Sequence, residues 1–159
     1  MHNFYISIVI PAYNEEKTIA EILSRTNKTM ETLGFPYEII VVDDGSIDNT
    51  SRLSERHKAT ILNNGTNKGK GYALRKGIQK ATGNIIVTMD ADGSHQPEEI
   101  TQLLKPLQNG ADIVAGSRFI GKREYGSIRK LHIFGNIIFN TMILLLTRRQ
   151  ITDSQTGFR

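Results

Sequence analysis

Residues Glu38–Ser46 read EIIVVDDGS: four consecutive β-branched aliphatic side chains that stop at two aspartates, a glycine and a serine. An unbroken apolar run this short predicts a strand buried on both faces, as found inside parallel sheets. The same pattern recurs on either side. Ile6–Ile10 (ISIVI) is apolar at four of five positions and ends at Pro11, and Ile85–Met89 (IIVTM) runs into Asp90-Ala91-Asp92-Gly93. Helical periodicity fills the gaps. Ile19, Ile22, Leu23, Met30 and Leu33 follow helical spacing up to Gly34, and Asp48 suits the N-cap of a short helix through His57. A third strand is expected around Thr60–Leu62, then the loop Asn63-Asn64-Gly65-Thr66-Asn67 and a helix marked by Ala73, Leu74, Gly77, Ile78 and Ala81. Pro97 suits a first helical position, with Glu98 and Glu99 at the positive helix start and Ile100, Leu103, Leu104 and Leu107 on the inner face. A fifth strand is expected near Asp112–Ala115. Repeated strand–helix units predict an α/β domain with a mostly parallel central sheet flanked by helices.

Composition narrows the function. The chain has 159 residues, 38% hydrophobic and 23% charged, which suits one globular domain. It contains no cysteine, so disulfides, thiolate metal sites and a cysteine nucleophile are excluded. No apolar run reaches the roughly 18 residues needed to cross a bilayer. No basic segment precedes the first apolar stretch, so a secretory signal is not expected, and the chain is expected in the cytoplasm. The net charge of +4 is uneven. Residues 1–117 carry 12 basic and 14 acidic side chains, whereas residues 118–159 carry 8 and 2. The tail therefore faces something anionic.

Polar clusters follow strands one, two and four: Tyr13-Asn14-Glu15, Asp43-Asp44 and Asp90/Asp92. Open parallel sheets bind ligands at that edge. Carboxylates gathered there need a cation, a sugar hydroxyl or a base edge as partner, although Asp43, Asp44 and Asp48 would also serve as turn and helix caps. Asp90 and Asp92 are two residues apart, and on extended backbone they project to one side. Such a pair can converge on one hard cation whose remaining positions are filled by phosphates, an arrangement Mg²⁺ prefers. The usual nucleotide motifs are absent. Strand one leads to Pro11-Ala12-Tyr13-Asn14 in place of a Gly-x-Gly-x-x-Gly turn, and Gly69-Lys70-Gly71 lacks phosphate-loop spacing. Lys68 and Lys70 could still cradle a diphosphate at a helix start, or the segment is a solvated loop. The four histidines are scattered and read as structural or exposed.

Taken together, six short motifs resemble the family 2 glycosyltransferases with the Rossmann-like GT-A fold, and among them the dolichyl- and polyprenyl-phosphate sugar synthases. They are Ile8–Glu16 (IVIPAYNEE), Val41–Ser46 (VVDDGS), Asn67–Gly71 (NKGKG), Asp90–Gly93 (DADG), Gly116–Arg118 (GSR) and Asp153–Arg159 (DSQTGFR). The resemblance covers essentially residues 1–159 and implies a single glycosyltransferase catalytic domain. It implies a nucleotide-sugar pocket lined by Pro11, Ala12, Tyr13, Glu15 and Ala91, with Asp44 on the base or ribose. It assigns Asp90 and Asp92 to ribose and metal (Mg²⁺ or Mn²⁺), and Asp153 to the position of a proposed base. Some relatives carry a glutamine metal contact where this chain has Ser94, which leaves Ser94 to act through water. The family pattern continues past Arg159, which implies a chain truncated at its C-terminus or one lacking membrane-associated helices.

The implied reaction moves a hexose, glucose or mannose, from a UDP- or GDP-sugar to a lipid phosphate, with inversion. Lys70 would assist the departing diphosphate. An anionic acceptor needs steering more than deprotonation, which Arg118 and Arg129 could supply. Ile133–Thr147 is apolar apart from Asn136 and Asn140, and is bracketed by Arg129-Lys130 and Arg148-Arg149. At about 1.5 Å per residue it spans about 22 Å, short of a crossing. Residues 127–149 are therefore expected either as a helix in the interface of an anionic membrane, at its cytoplasmic face, or as a core helix with solvated ends. Rival readings are a phosphoacceptor signalling domain, whose acidic pair should follow strand one, and a nucleic-acid-binding module, which lacks its recognition helix or aromatic platform. Nucleic acid is not an expected partner. Within the enzymes, the rival is transfer to a saccharide or protein hydroxyl.

Overall fold

The computed structural model describes residues 4–117 together with 140, 141, 145, 148, 153 and 156–159. Arg118, Arg129 and most of the expected interface helix lie outside the described residues. Four strands, β1 (Ile6–Ala12), β2 (Tyr37–Asp43), β3 (Thr60–Asn63) and β4 (Ile85–Thr88), form a parallel sheet in the order β3-β2-β1-β4. Ile8 stands beside Ile39 and Ile6 beside Ile85, and all three pairings are parallel. Within residues 4–117 the helices are α1 (Ile19–Leu33), α2 (Thr50–Glu55), α3 (Lys70–Lys80) and α4 (Ile100–Gln108), the last preceded by a 3₁₀ turn over Pro97–Glu99.

The alternation of β1 assigns the layers. Ile6, Ile8 and Ile10 pack with Ile19, Ile22, Leu23 and Met30 of α1 and with Ile100, Leu103 and Leu104 of α4. Val9 points the other way, into a smaller cluster with Ile40, Val42 and Ala73 of α3. Both faces of β1 and β2 are covered, which is why their central residues are almost all apolar, with buried Ser7 the exception in Ile6–Ile10. Gly77 lets α3 approach: a Cβ there would lie 2.4 Å from Val9 Cγ1. Gly34, with φ of 71°, ends α1 in the left-handed conformation, and its N–H donates to the Met30 carbonyl.

Several expectations need correction. Asp112–Ala115 is not a strand. The place beside β4 goes to the C-terminal segment: Thr88 and Arg159 exchange both backbone hydrogen bonds, at 2.7 and 3.2 Å, the pattern of an antiparallel pair. Gly116 N–H then donates to the Phe158 carbonyl at 2.8 Å. β4 also ends at Thr88, and Ile86 is exposed, so this strand is less enclosed than its apolar run suggests. The short second helix stops at Glu55, and its N-cap is Asn49; Asp48, one residue earlier, accepts the Thr50 N–H through Oδ1. Among the described residues no helix is long and apolar enough to cross a membrane. Asn140, Thr141 and Leu145 have helical backbone, and Leu145 is exposed.

Candidate active site

The order of strand addition reverses at β1: β2 and β3 lie to one side and β4 to the other, with every strand parallel. The crevice beyond the carboxyl ends of strands at such a switch point is where this class of sheet binds ligands. A cleft of about 310 Å³ lies there, lined by Pro11, Ala12, Tyr13 and Glu15 after β1, Asp44 after β2, Asn67, Gly69, Lys70 and Ala73 around the start of α3, and Asp90, Ala91 and Asp92 after β4. The sheet thus collects into one cavity the nine residues that the motifs nominate between Pro11 and Asp92. Asp153 is buried and is not among the described residues that line the cleft.

The walls are tied together by their own polar groups. Asn14, in the left-handed region at φ of 56°, donates its N–H to Ser46 Oγ and accepts the Ile47 N–H on Oδ1. Glu15 N–H donates to Thr50 Oγ1, and Glu16 N–H to Asp48 Oδ2. The loops after β1 and β2 are thereby fastened side by side. Gly45 has a φ of 82°, and a Cβ there would lie 2.6 Å from the Thr66 carbonyl carbon, so only glycine lets the loop before α3 close over this turn.

The two aspartates of that turn serve the chain itself. Asp43 is buried and accepts the Ser46 N–H and the Ser51 hydroxyl. Asp44 accepts Asn64 Nδ2 at 2.7 Å, Lys68 N–H at 3.1 Å and Gly69 N–H at 2.7 Å. Burial raises its pKa, but these hydrogen bonds outweigh burial and hold it below the usual carboxylate range. Most of its acceptor capacity is occupied before any base or ribose arrives.

Asp90 and Asp92 sit in different surroundings. The strand stops before them and residues 91–93 bend, so the pair does not project from extended backbone. Asp90 lies 2.6 Å from Lys70 Nζ through Oδ1, and 2.7 Å through Oδ2. Burial raises its pKa, and the contacts with His95 and Lys70 more than reverse this, to about 2. Asp92 is exposed, accepts the Ser94 N–H at 2.9 Å, and has no cationic partner among the described residues. Glu15 has its pKa raised by burial and then by the charges of Asp92, Asp48 and Asp90. That uncompensated acidity beside hard oxygen donors fits a divalent cation whose other ligands come from phosphate. No group of three His, Asp or Glu side chains among the described residues would hold a metal alone.

Sequence reasoning missed His95. It is buried, stacks on Phe158 with ring centroids 5.3 Å apart, and places Nε2 3.4 Å from Asp90 Oδ2. Its spacing after Asp90 was visible, but the C-terminal segment that buries it was not.

The profile described as "Glycosyl transferase family 2" matches residues 7–159. The chain is 36% identical to the dolichol-phosphate mannosyltransferase of Pyrococcus furiosus over 159 residues, covering 96% of this chain and 45% of that protein. It is also 36% identical to the undecaprenyl-phosphate 4-deoxy-4-formamido-L-arabinose transferase of Proteus mirabilis, covering 93% and 46%. The chain thus spans under half the length of these two relatives. Among solved structures, glucosyl-3-phosphoglycerate synthase from Mycobacterium tuberculosis, in complex with Mn²⁺ and UDP-glucose, superposes with a TM-score of 0.73 at 25% identity, covering 98% of this chain and 55% of that one. The chain belongs to glycosyl transferase family 2, and its α/β architecture is the GT-A fold.

Proposed function

We propose that the chain is the catalytic domain of an inverting hexosyltransferase, moving glucose or mannose from a nucleoside diphosphate sugar to a polyprenyl or dolichyl phosphate at the cytoplasmic face of a membrane. The observation that carries this reading is the convergence of the post-β1, post-β2 and post-β4 residues on one cleft where Lys70 and Asp90 are already paired. The relatives named for polyprenyl-phosphate transfer favour the lipid acceptor.

The chemistry follows from charge. As the anomeric C–O bond breaks, negative charge grows on the departing diphosphate and positive charge on the sugar. Lys70 leaves Asp90 to hydrogen-bond a diphosphate oxygen, and the N-terminus of α3, which begins at the cleft, faces the same charge. Asp92 and Asp90 would hold Mg²⁺ or Mn²⁺, which supplies Lewis-acid neutralisation of the leaving group when bound. Tyr13, 45% exposed, offers a ring face to the base. An acceptor phosphate oxygen attacks the anomeric carbon from the face opposite the diphosphate, so one C–O bond forms as the other breaks and the configuration inverts. Arg118 and Arg129 would steer that anion, and Asp153 would orient the sugar.

A second reading is favoured by the superposition on glucosyl-3-phosphoglycerate synthase: transfer to a hydroxyl, for which Asp153 would have to take a proton. Incubation of the chain with GDP-mannose or UDP-glucose, Mn²⁺ or Mg²⁺, and either polyprenyl phosphate or 3-phosphoglycerate separates the two by product. Asp92→Ala is expected to abolish transfer with the melting temperature unchanged. Near-native turnover in that variant would remove Asp92 from the metal site.

A further inference from the structure

His95 lies beneath the cleft with an unusual environment. Only 6% of it is exposed, and its Nε2 is buried with no hydrogen-bond partner among the described residues. Leaving a buried polar atom unsatisfied is costly, and where one persists it calls for an explanation. The atom it faces is Asp90 Oδ2, at 3.4 Å. A closure of roughly 0.5 Å would make this an ordinary N–H···O hydrogen bond.

Asp90 is confined on its other sides. Lys70 Nζ bridges both carboxylate oxygens, and a Cβ at Gly157 would fall 2.5 Å from Oδ2, so the Gly157 backbone is pressed against the carboxylate. Of these neighbours Lys70 is the one free to leave. Its side chain is 52% exposed, whereas that of His95 is 6% exposed and pinned by the Phe158 stack. A diphosphate carries more charge than a carboxylate and competes for the lysine. Once Lys70 turns to it, Asp90 has lost its lysine partner, and among the described residues the His95 N–H is the side-chain donor that remains within reach.

We propose that His95 is a positioning residue: with its proton on Nε2, it holds the Asp90 carboxylate in place when Lys70 transfers to the donor's diphosphate, while Phe158 and Gly157 keep ring and carboxylate in register. This rests on reading the cleft as a nucleoside diphosphate site. It also gives Gly157 and Phe158 a part in donor binding, exercised through Asp90 and His95.

Titration calorimetry of the full chain with GDP and with UDP, each in the presence of Mn²⁺, tests it alongside thermal denaturation. His95→Phe keeps the ring and its stack but removes the donor; His95→Gln keeps a donor at similar reach but removes the ring. The expected result is a loss of about 10–100-fold in affinity for His95→Phe at an unchanged melting temperature, since residues behind a metal-site carboxylate act on that order. His95→Gln is expected to recover most of it. His95→Phe binding as tightly as the wild type overturns the proposal, as does a stably folded His95→Gln with affinity reduced tenfold or more, on the same order. If His95→Phe does not fold, His95→Gln decides alone: wild-type affinity supports the proposal and a folded, weakly binding variant sinks it. A wild-type chain that binds neither nucleotide fails at an earlier step, overturning the reading of the cleft itself.

Discussion

The Asp44 carboxylate takes the Asn64 amide and the backbone N–H groups of Lys68 and Gly69, so it holds down the loop that forms one wall of the cleft. Removing it leaves those donors facing a hole. Asp44→Ala is expected to destabilise the fold by about 1–3 kcal/mol and to weaken nucleotide binding, measured by thermal denaturation and nucleotide titration. Protonation should act in the same direction at several sites. Asp44, Asp48, Glu38, Glu98 and Asp90 all have pKa values lowered in the fold, Asp90 to about 2. A lowered carboxylate contributes stability that is present above its unfolded pKa and is lost as pH falls through its folded value. Glu15, raised by burial, has the opposite sign: its contribution is present at low pH and is lost as pH rises through its folded value. Among the described residues the five lowered carboxylates outweigh the one raised. The melting temperature is expected to hold from neutral pH down to about 4 and then to fall steeply toward about 2, which calorimetry across that range would check.

α3 links the core to the cleft in one element. Its N-terminal Lys70 pairs with Asp90, while Gly77, two turns on, lies against Val9 and Val42 of the sheet. Gly77→Ala puts a methyl 2.4 Å from Val9 Cγ1, so helix and sheet must separate. A cost of about 1–3 kcal/mol is expected from overpacking, read by chemical denaturation, despite the better helix propensity of alanine. The same element shows what periodicity can and cannot provide. Ala73, Leu74 and Gly77 announce a helix, because spacing along one chain segment is enough to define its apolar stripe. The missing fifth strand shows the limit. Asp112–Ala115 has suitable residues, but the edge of β4 is taken by Arg159, and competition between two segments for one edge is not written in either of them.

Charge is distributed over the molecule as a whole, with a net of +6 on residues 118–159 against −2 on the rest. If the apolar stretch 133–147 lies on an anionic surface, each flanking Lys or Arg adds about 1 kcal/mol at low salt. Flotation with anionic vesicles is then expected to recover the chain, with less recovered as salt rises and none with neutral lipid. Absence of binding at low salt would return the stretch to a core. The short apolar runs, the crossover helices and the acidic turns at the strand ends were all legible along the chain, and a parallel sheet sends every strand's carboxyl end to one edge; that Pro11, Ala12, Tyr13, Glu15, Asp44 and Ala91 belong to one pocket was implied by the resemblance of the motifs. Strand burial and helix periodicity are local properties, set by which side chains follow one another. The partner of each carboxylate at that edge was not local. Asp44 is turned toward Asn64 and the start of α3, and Asp90 meets Lys70, His95 and the backbone of Gly157. Those contacts join segments brought side by side only when the sheet closes, and there the tertiary structure alone chose which charge faces the ligand and which serves the chain.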